Sequence, residues 1–304
     1  MRNLKVKFSD GVVRSVPFVE PMRPKATEEI PEGDWIAEEK YDGSLTLMYL
    51  GDGAVAYVNR KGRNKTLIYP ELVLLPKKYR GRRLTIIQGE VYAFDGRPEH
   101  FEQFLRRDLL QDEQEAKERS KQIPLYFGAY DILMSKGEWV TDKPILERKK
   151  ILSRELPRTK HIKLISSSRN LKSTTSELER EHAEGVVYKK LPDGYESGDT
   201  SQWKKLKFRK EADVVVTGYN KGTGRRSKIG ALRVGVYKNG KVVEVANVGT
   251  GFTDEELTDI KRRLDKGEKV YGKVEYQKVG SQGRLRAPAW KGRRTDITVK
   301  ETHL

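Results

Sequence analysis

Between residues 34 and 208 the chain breaks into seven short runs rich in β-branched and aromatic residues: 34–41, 44–50, 54–59, 84–94, 125–133, 184–190 and 203–208. Each is bounded by Gly, Asp, Asn or Pro, the punctuation expected of strands. Only two stretches of this region carry a helical stripe. One is 99–120, with Phe101, Phe104, Leu105 and Leu109 on one side; the other is 144–156. Strands that outnumber helices, in mixed order, predict an α+β fold on antiparallel sheets.

After Phe208 the pattern changes. Residues 212–219 read as an apolar strand, followed by the basic, glycine-rich loop KGTGRRSKIG. Residues 231–247 read as a hairpin turning at Asn239-Gly240. In TDEELTDIKRRLDKG, Thr253 and Glu256 form a capping box and Gly267 supplies the stop of a helix. A last strand is predicted over 269–279. Short strands, one helix and a basic face predict a small five-stranded barrel of the OB type. A chain of 304 residues has room for both parts. The expected division is 1–208 and 209–304, with a hinge near 208–212.

Charge says what such a chain meets. Lys and Arg number 61 against 44 Asp and Glu, a net +17. Residues 208–304 hold 22 basic and 12 acidic residues, so the smaller part carries +10 and the larger +7. A surplus of this size in a chain that folds points to a polyanion, most often nucleic acid. The hydrophobic share is only 36%, yet 14 Tyr, 8 Phe and 4 Trp spread along the length argue against disorder. With no cysteine, disulfides, thiolate zinc sites and cysteine nucleophiles are excluded. His100, His161, His182 and His303 show no metal spacing. The start, MRNLKVKFSDGVV, lacks the apolar core of a signal peptide, and no run reaches the length of a membrane span. A cytoplasmic monomer without membrane contact is expected. GVYKNGKV, residues 235–242, has P-loop spacing but is a decoy. Val242 stands where Ser or Thr is required, and Asn-Gly between alternating strands is a hairpin.

The stretch AEEKYDGSLTLMYL, residues 37–50, places Lys40 in a half-buried strand just ahead of a tight Asp42-Gly43 turn. A snorkelling lysine explains it blandly. A nucleophilic lysine explains it too, provided neighbouring cations or burial lower its pKa. Candidate neighbours recur along the chain: Arg60 in NRKGR, Glu90 in QGEVYAF, Tyr130 and Asp131 in YFGAYDIL, Glu184 in EGVVYKK, and Lys205 with Lys207 in WKKLK. Singly, each reads as solvated charge, edge-strand charge or ordinary core. Acidic residues leading into apolar strands, however, are costly unless paired or metal-bound.

In their order these motifs resemble the covalent nucleotidyltransferases, and most of all the ATP-dependent DNA ligases. KYDG at Lys40, NRKG at Arg60, GEVYAFD at Glu90, AYDIL at Tyr130, EGVVYKK at Glu184 and KLK at Lys205 match that family's series. Further along, VGTGFTDEEL resembles its OB domain and LRAPAWKGRRTD its last motif. The resemblance implies an adenylation domain followed by an OB domain, with ATP and Mg²⁺ or Mn²⁺ as cofactors and nicked double-stranded DNA as partner. Lys40 would take AMP from ATP, pass it to a 5′-phosphate, and the adjoining 3′-hydroxyl would displace it.

By the same resemblance Glu38 reads the adenine amino group, Tyr130 stacks on the base, and Tyr41, Asp42 and Gly43 complete the nucleotide site. Arg60 meets ribose or nick phosphate. Glu90 and Glu184 serve ribose and metal, and Lys205 and Lys207 serve the α-phosphate while keeping Lys40 partly neutral. Arg286 and Arg294 grip the pyrophosphate, and Asp296 of the same last motif joins the catalytic set. Lys221, Arg225, Arg226 and Lys228 of the basic loop grip DNA. Three positions depart from the family pattern: Asn59 replaces a serine, Ser44 an arginine, and Ile297 a lysine, for which Lys291 or Lys300 are the nearby substitutes. An RNA ligase or a capping-type guanylyltransferase is the alternative. A non-catalytic OB-type binding protein is a second.

Overall fold

The computed structural model describes residues 2–75, 83–97, 100–222, 229–280 and 282–304. The chain forms two compact units, Met1–Lys207 and Phe208–Leu304.

Unit one begins with strands β1 (Arg2–Lys7), β2 (Val13–Phe18), β3 (Arg23–Ala26), β4 (Trp35–Glu39), β5 (Ser44–Gly51), β6 (Ala54–Asn59) and β7 (Thr85–Ala93). Helices α1 (Phe101–Asp108) and α2 (Glu113–Ser120) follow, then β8 (Leu125–Ser135), β9 (Glu138–Trp139) and helix α3 (Ile145–Glu155). It ends with β10 (Ile162–Leu164), β11 (Ser167–Ser168), α4 (Leu171–Arg180), β12 (Gly185–Lys190) and β13 (Asp199–Lys207).

Two sheets carry the unit. One has the order β10-β8-β7-β5-β6, with β9 on β8; the other runs β11-β4-β12-β13-β3. The sheets are antiparallel as expected except at β10 on β8 and β3 on β13, which are parallel. The hairpin β1-β2 packs Val6, Phe8, Val16 and Phe18 against Leu47, Tyr49, Ala56 and Val58 of β5 and β6. A second cluster, with Tyr57, Phe104, Phe127, Ile132 and Leu152, fills the other side beneath the helices.

The single helix expected over 99–120 is two. Asp112 accepts a hydrogen bond from the Glu115 backbone N–H and so starts α2 afresh, a D-x-x-E cap inside the apparent stripe. Leu109, read as part of that stripe, caps α1 instead and is 69% exposed. Residue 99 lies outside the described residues.

Unit two consists of β14 (Lys210–Asn220), β15 (Ala231–Lys238), β16 (Lys241–Val248), α5 (Asp254–Asp265), β17 (Val270–Tyr276), β18 (Lys278–Val279), β19 (Leu285–Arg286) and β20 (Ala289–Arg294). Its five-stranded antiparallel sheet, β16-β15-β14-β17-β20, encloses a core around the buried Trp290, as an OB-type unit does. The turn between β15 and β16 is Asn239-Gly240, both with positive φ (52° and 83°), which Asn and Gly tolerate best. This confirms the apparent P-loop as a hairpin. The Thr253–Glu256 capping box opens α5 as read. Two expectations shift. The strand over 269–279 is interrupted at Gln277, and of the proposed hinge only Phe208 and Arg209 lie outside strands, because Lys210, Glu211 and Ala212 already pair with β17.

Candidate active site

The register of three neighbouring strands assembles most of the site. Glu38 of β4 faces Val187 of β12, which faces Lys205 of β13. One rung outward, Ile36, Lys189 and Trp203 are aligned in the same way. Directly paired residues on antiparallel strands share a face of the sheet. On the other side of the Glu38 rung, the Lys40 backbone N–H donates to Gly185 O at 3.0 Å, and Gly185 faces Lys207. Lys40 therefore lies one residue beyond the end of β4, not within it, yet keeps the strand's parity with Glu38.

The opposite wall comes from the other sheet, where Leu45 of β5 faces Glu90 of β7 and Tyr130 of β8 adjoins. Gly43 makes the approach possible: a Cβ there would lie 2.0 Å from Val91 O and 3.2 Å from the Glu90 side chain. Between the walls is a pocket of about 320 Å³ lined by Glu38, Lys40, Tyr41, Gly43, Arg60, Glu90, Tyr130, Lys189 and Lys205, among others.

Glu184 bridges two cations. Its Oε2 accepts from Lys40 Nζ at 2.6 Å, and its Oε1 lies 2.8 Å from Lys207 Nζ. Burial alone would raise the Glu184 carboxyl, but Lys40 and Lys207 outweigh it and hold it below the ordinary carboxylate range. Glu90, by contrast, is desolvated with only partial relief from Lys40 and is pushed up to about 8. For Lys40 the expectation was a lowered pKa. Desolvation does push that way, yet the Glu184 and Glu90 carboxylates outweigh it and the amine is held above its ordinary value. Lys205 is lowered, by desolvation first and then by Lys40 and Lys207. The Lys40 amine donates to Glu184.

Glu38 is buried, and both its oxygens are engaged: Lys149 of α3 hydrogen-bonds Oε1, and Lys189 lies 2.7 Å from Oε2. Burial pushes Lys189 down to about 8 against the pull of Glu38. Its Nζ also sits 4.5 Å from the Tyr130 ring centroid and 4.2 Å from that of Trp203. Tyr41 stacks on Tyr92 at 4.5 Å. Asp42 is buried, and its backbone N–H donates to Gly96 O at 2.9 Å. Asn59, where the ligase pattern has serine, folds the Arg60 turn: its Oδ1 accepts from the backbone N–H of Lys61 and of Arg63, each at 3.0 Å.

Lys149 and Lys189 escaped the sequence reading. The parity of Lys189 with Glu184's strand neighbours was visible in EGVVYKK, but Lys149 is one charge on a helix and reaches Glu38 only through the tertiary fold. Arg148, next to it, forks onto Asp131 at 2.8 and 3.0 Å, with both side chains wholly buried.

In unit two, Arg294 at the end of β20 is held by Asp213 (3.1 Å) and Asp296 (2.7 Å). The Arg294 guanidinium holds the Asp296 carboxyl at about 2. Arg286 lies on β19, with its backbone carbonyl accepting from the Gln277 N–H at 3.1 Å. Of the DNA-loop residues, Lys221 is exposed; Arg225, Arg226 and Lys228 lie outside the described residues.

No cluster of three or more His, Asp or Glu suited to a metal occurs among the described residues. Two carboxylates suffice for Mg²⁺, which takes its remaining ligands from water and substrate phosphates. Glu90 and Glu184 are the two carboxylates named above that act on Lys40.

The description "ATP dependent DNA ligase domain" matches residues 18–207, and "ATP dependent DNA ligase C terminal region" matches residues 225–271. The chain belongs to the ATP-dependent DNA ligase family. It is 31% identical over 245 residues to a DNA ligase of Thermococcus fumicolans, covering 76% of this chain and 43% of that protein. With a DNA ligase of Ignicoccus hospitalis the identity is 32% over 285 residues, covering 83% and 47%. The chain thus spans under half the length of these relatives. A solved Lig E DNA ligase structure shares the fold at a TM-score of 0.66 with 19% identity, covering 91% of this chain and all of that one. Among the described residues no helix is long and apolar enough to cross a membrane.

Proposed function

We propose that this chain seals nicks in double-stranded DNA at the expense of ATP, with Lys40 as the covalent carrier of AMP. The observation that carries the reading is Lys40 Nζ in a pocket walled by Glu38, Glu90, Tyr130 and Lys205, 2.6 Å from Glu184. In the first step the free amine attacks the α-phosphorus; a P–N bond forms, the P–O bond to pyrophosphate breaks and the amine's proton departs. A 5′-phosphate oxygen of the nick then takes AMP, breaking the P–N bond. Finally the 3′-hydroxyl oxygen attacks that phosphate and AMP leaves.

Each transfer builds charge on phosphoryl oxygens, which Lys205 and Lys207 are suited to neutralise. Mg²⁺ held by Glu90 and Glu184 would supply further positive charge there and weaken the carboxylates' hold on the Lys40 proton. Glu38 and Tyr130 would read and stack the base, beside Tyr41, Asp42 and Gly43. Arg60 would meet ribose or nick phosphate. Arg286 and Arg294 would act on the pyrophosphate, with Asp296 holding Arg294, and Lys221, Arg225, Arg226 and Lys228 on the duplex. A monomer is the expected working form.

Incubation with α-labelled ATP and Mg²⁺ tests the core of this. Wild type should become labelled and Lys40→Ala should not, while remaining folded; label retained in that variant rules Lys40 out. Nicked DNA, nicked RNA and hybrid duplexes offered side by side then identify the substrate, with nicked DNA expected to be sealed fastest.

A further inference from the structure

The hairpin β1-β2 precedes the family-matched region, which starts at residue 18. Its inner face is committed to the core through Val6, Phe8, Val16 and Phe18. Backbone and side-chain hydrogen bonds fix it further: Ser9 N–H to Val55 O at 2.9 Å, and Tyr49 Oη to Pro17 O at 3.1 Å. By strand alternation Lys5 and Lys7 stand on the outer face, and both are exposed. Asp10, the hairpin's one carboxylate, is taken by Arg14 through a fork of 2.9 and 2.6 Å. The outer face therefore keeps an uncompensated positive charge.

The first strand of the hairpin also adjoins a basic turn. β1 runs along the turn after β6: Asn64 Nδ2 donates to Lys7 O at 2.8 Å, and Arg2 Nη2 comes within 3.2 Å of where a side chain would start on Gly62. The turn presents Lys61 and Arg63, and Arg60, which lines the Lys40 pocket. Among the described residues none of Arg2, Lys5, Lys7, Arg60, Lys61 and Arg63 ion-pairs with a carboxylate. Lys5 and Lys7 on the hairpin, with Arg60, Lys61 and Arg63 on the adjoining turn, thus put five exposed cations on neighbouring segments, a pattern that fits several phosphates better than a single anion.

We propose that the outer face of the β1-β2 hairpin is a duplex-DNA docking surface, holding the phosphate backbone beside the nick that Arg60 approaches. This rests on the reading that the chain acts on nicked duplex. Phosphate contacts of this kind set position and affinity without reading sequence.

The test is binding of the full chain to a labelled nicked duplex between about 50 and 200 mM salt, a range over which phosphate contacts dominate. Lys5→Glu/Lys7→Glu should weaken binding about tenfold or more and flatten the salt slope by about 2, one unit per lost contact. Labelling of Lys40 by ATP without DNA should stay at the wild-type level. Lys117→Glu/Lys121→Glu, the same charge change on the exposed Lys117 of α2 and on the exposed Lys121 that caps it, should weaken binding much less. Wild-type affinity and slope in the hairpin variant, or an equal loss in the control, overturns the proposal. Failure of the wild type itself to bind nicked duplex would instead remove the nick-sealing reading.

Discussion

Glu184 joins Lys40 to Lys207, at 2.6 and 2.8 Å, so that one carboxylate holds two cations, one from just beyond β4 and one from β13, and raises the proton affinity of the prospective nucleophile. Glu90, the second carboxylate acting on Lys40, is left short of charge compensation, and its carboxyl rises to about 8. The two acids therefore respond to pH in opposite directions.

Glu90 makes the first prediction. The folded protein keeps a proton on Glu90 up to about pH 8, whereas the unfolded chain releases it near the ordinary value of 4.5. Between these values the folded state binds more protons, so this group's contribution to stability falls as pH rises. Glu90→Gln should remove that fall. Urea unfolding in metal-free buffer at pH 5 and pH 8 should show wild type losing on the order of 2 kcal/mol more than the variant across the interval. Parallel losses would contradict the protonated Glu90.

Gly43 offers a steric test. A Cβ would lie 2.0 Å from the Val91 carbonyl, which backbone movement alone can relieve. Gly43→Ala should cost roughly 1–3 kcal/mol of stability. It should reduce self-labelling out of proportion to that loss, because Lys40 is three residues away on the same turn. Unfolding curves and a labelling time course, run together, separate the two effects.

Arg148 and Asp131 form a wholly buried fork. Arg148→Met strands a buried carboxylate and should destabilise unit one by about 3–5 kcal/mol. The paired change Arg148→Met/Asp131→Leu should recover much of this, since neither charge is then left alone. A double variant as unstable as the single one would show that the fork does more than compensate charge.

For Arg294, held between Asp213 and Asp296, the expectation concerns the order of steps. If it acts on pyrophosphate, Arg294→Ala should slow self-labelling by about 10-fold to 100-fold and slow sealing of a pre-adenylated nick far less. Equal losses in the two assays would exclude a pyrophosphate role.

Much of the fold was legible where local chemistry decides it. Asn239-Gly240 fixes its hairpin and Thr253 with Glu256 fixes the start of α5, because both signals act within four residues. Asp112 and Glu115 spell the cap that separates α1 from α2, but the apolar spacing over 99–120 runs across it and hides the break. The adenylation-type pocket residues were visible as motifs, but their electrostatics were not. Whether Lys40 is raised or lowered depends on how near Glu184 and Glu90 come, and distances across 144 and 50 positions are not written in either motif. Lys149 shows the limit: nothing local separates it from the other lysines of α3, and only the packing of that helix brings it to Glu38.

Lys40 and Glu184 owe their meeting to the Lys40–Gly185 hydrogen bond and to the ladder that continues from it, Glu39 on Val186 and Glu38 on Val187. A side-chain period of two makes that ladder unforgiving. One residue inserted in β12 between Val187 and Lys189 would turn Lys189 away from Glu38 while leaving composition, charge and every motif letter nearly as they were. The tolerance of this chain to length change is thus expected to fall to nothing along three short strands and to return at once in the turns beyond them.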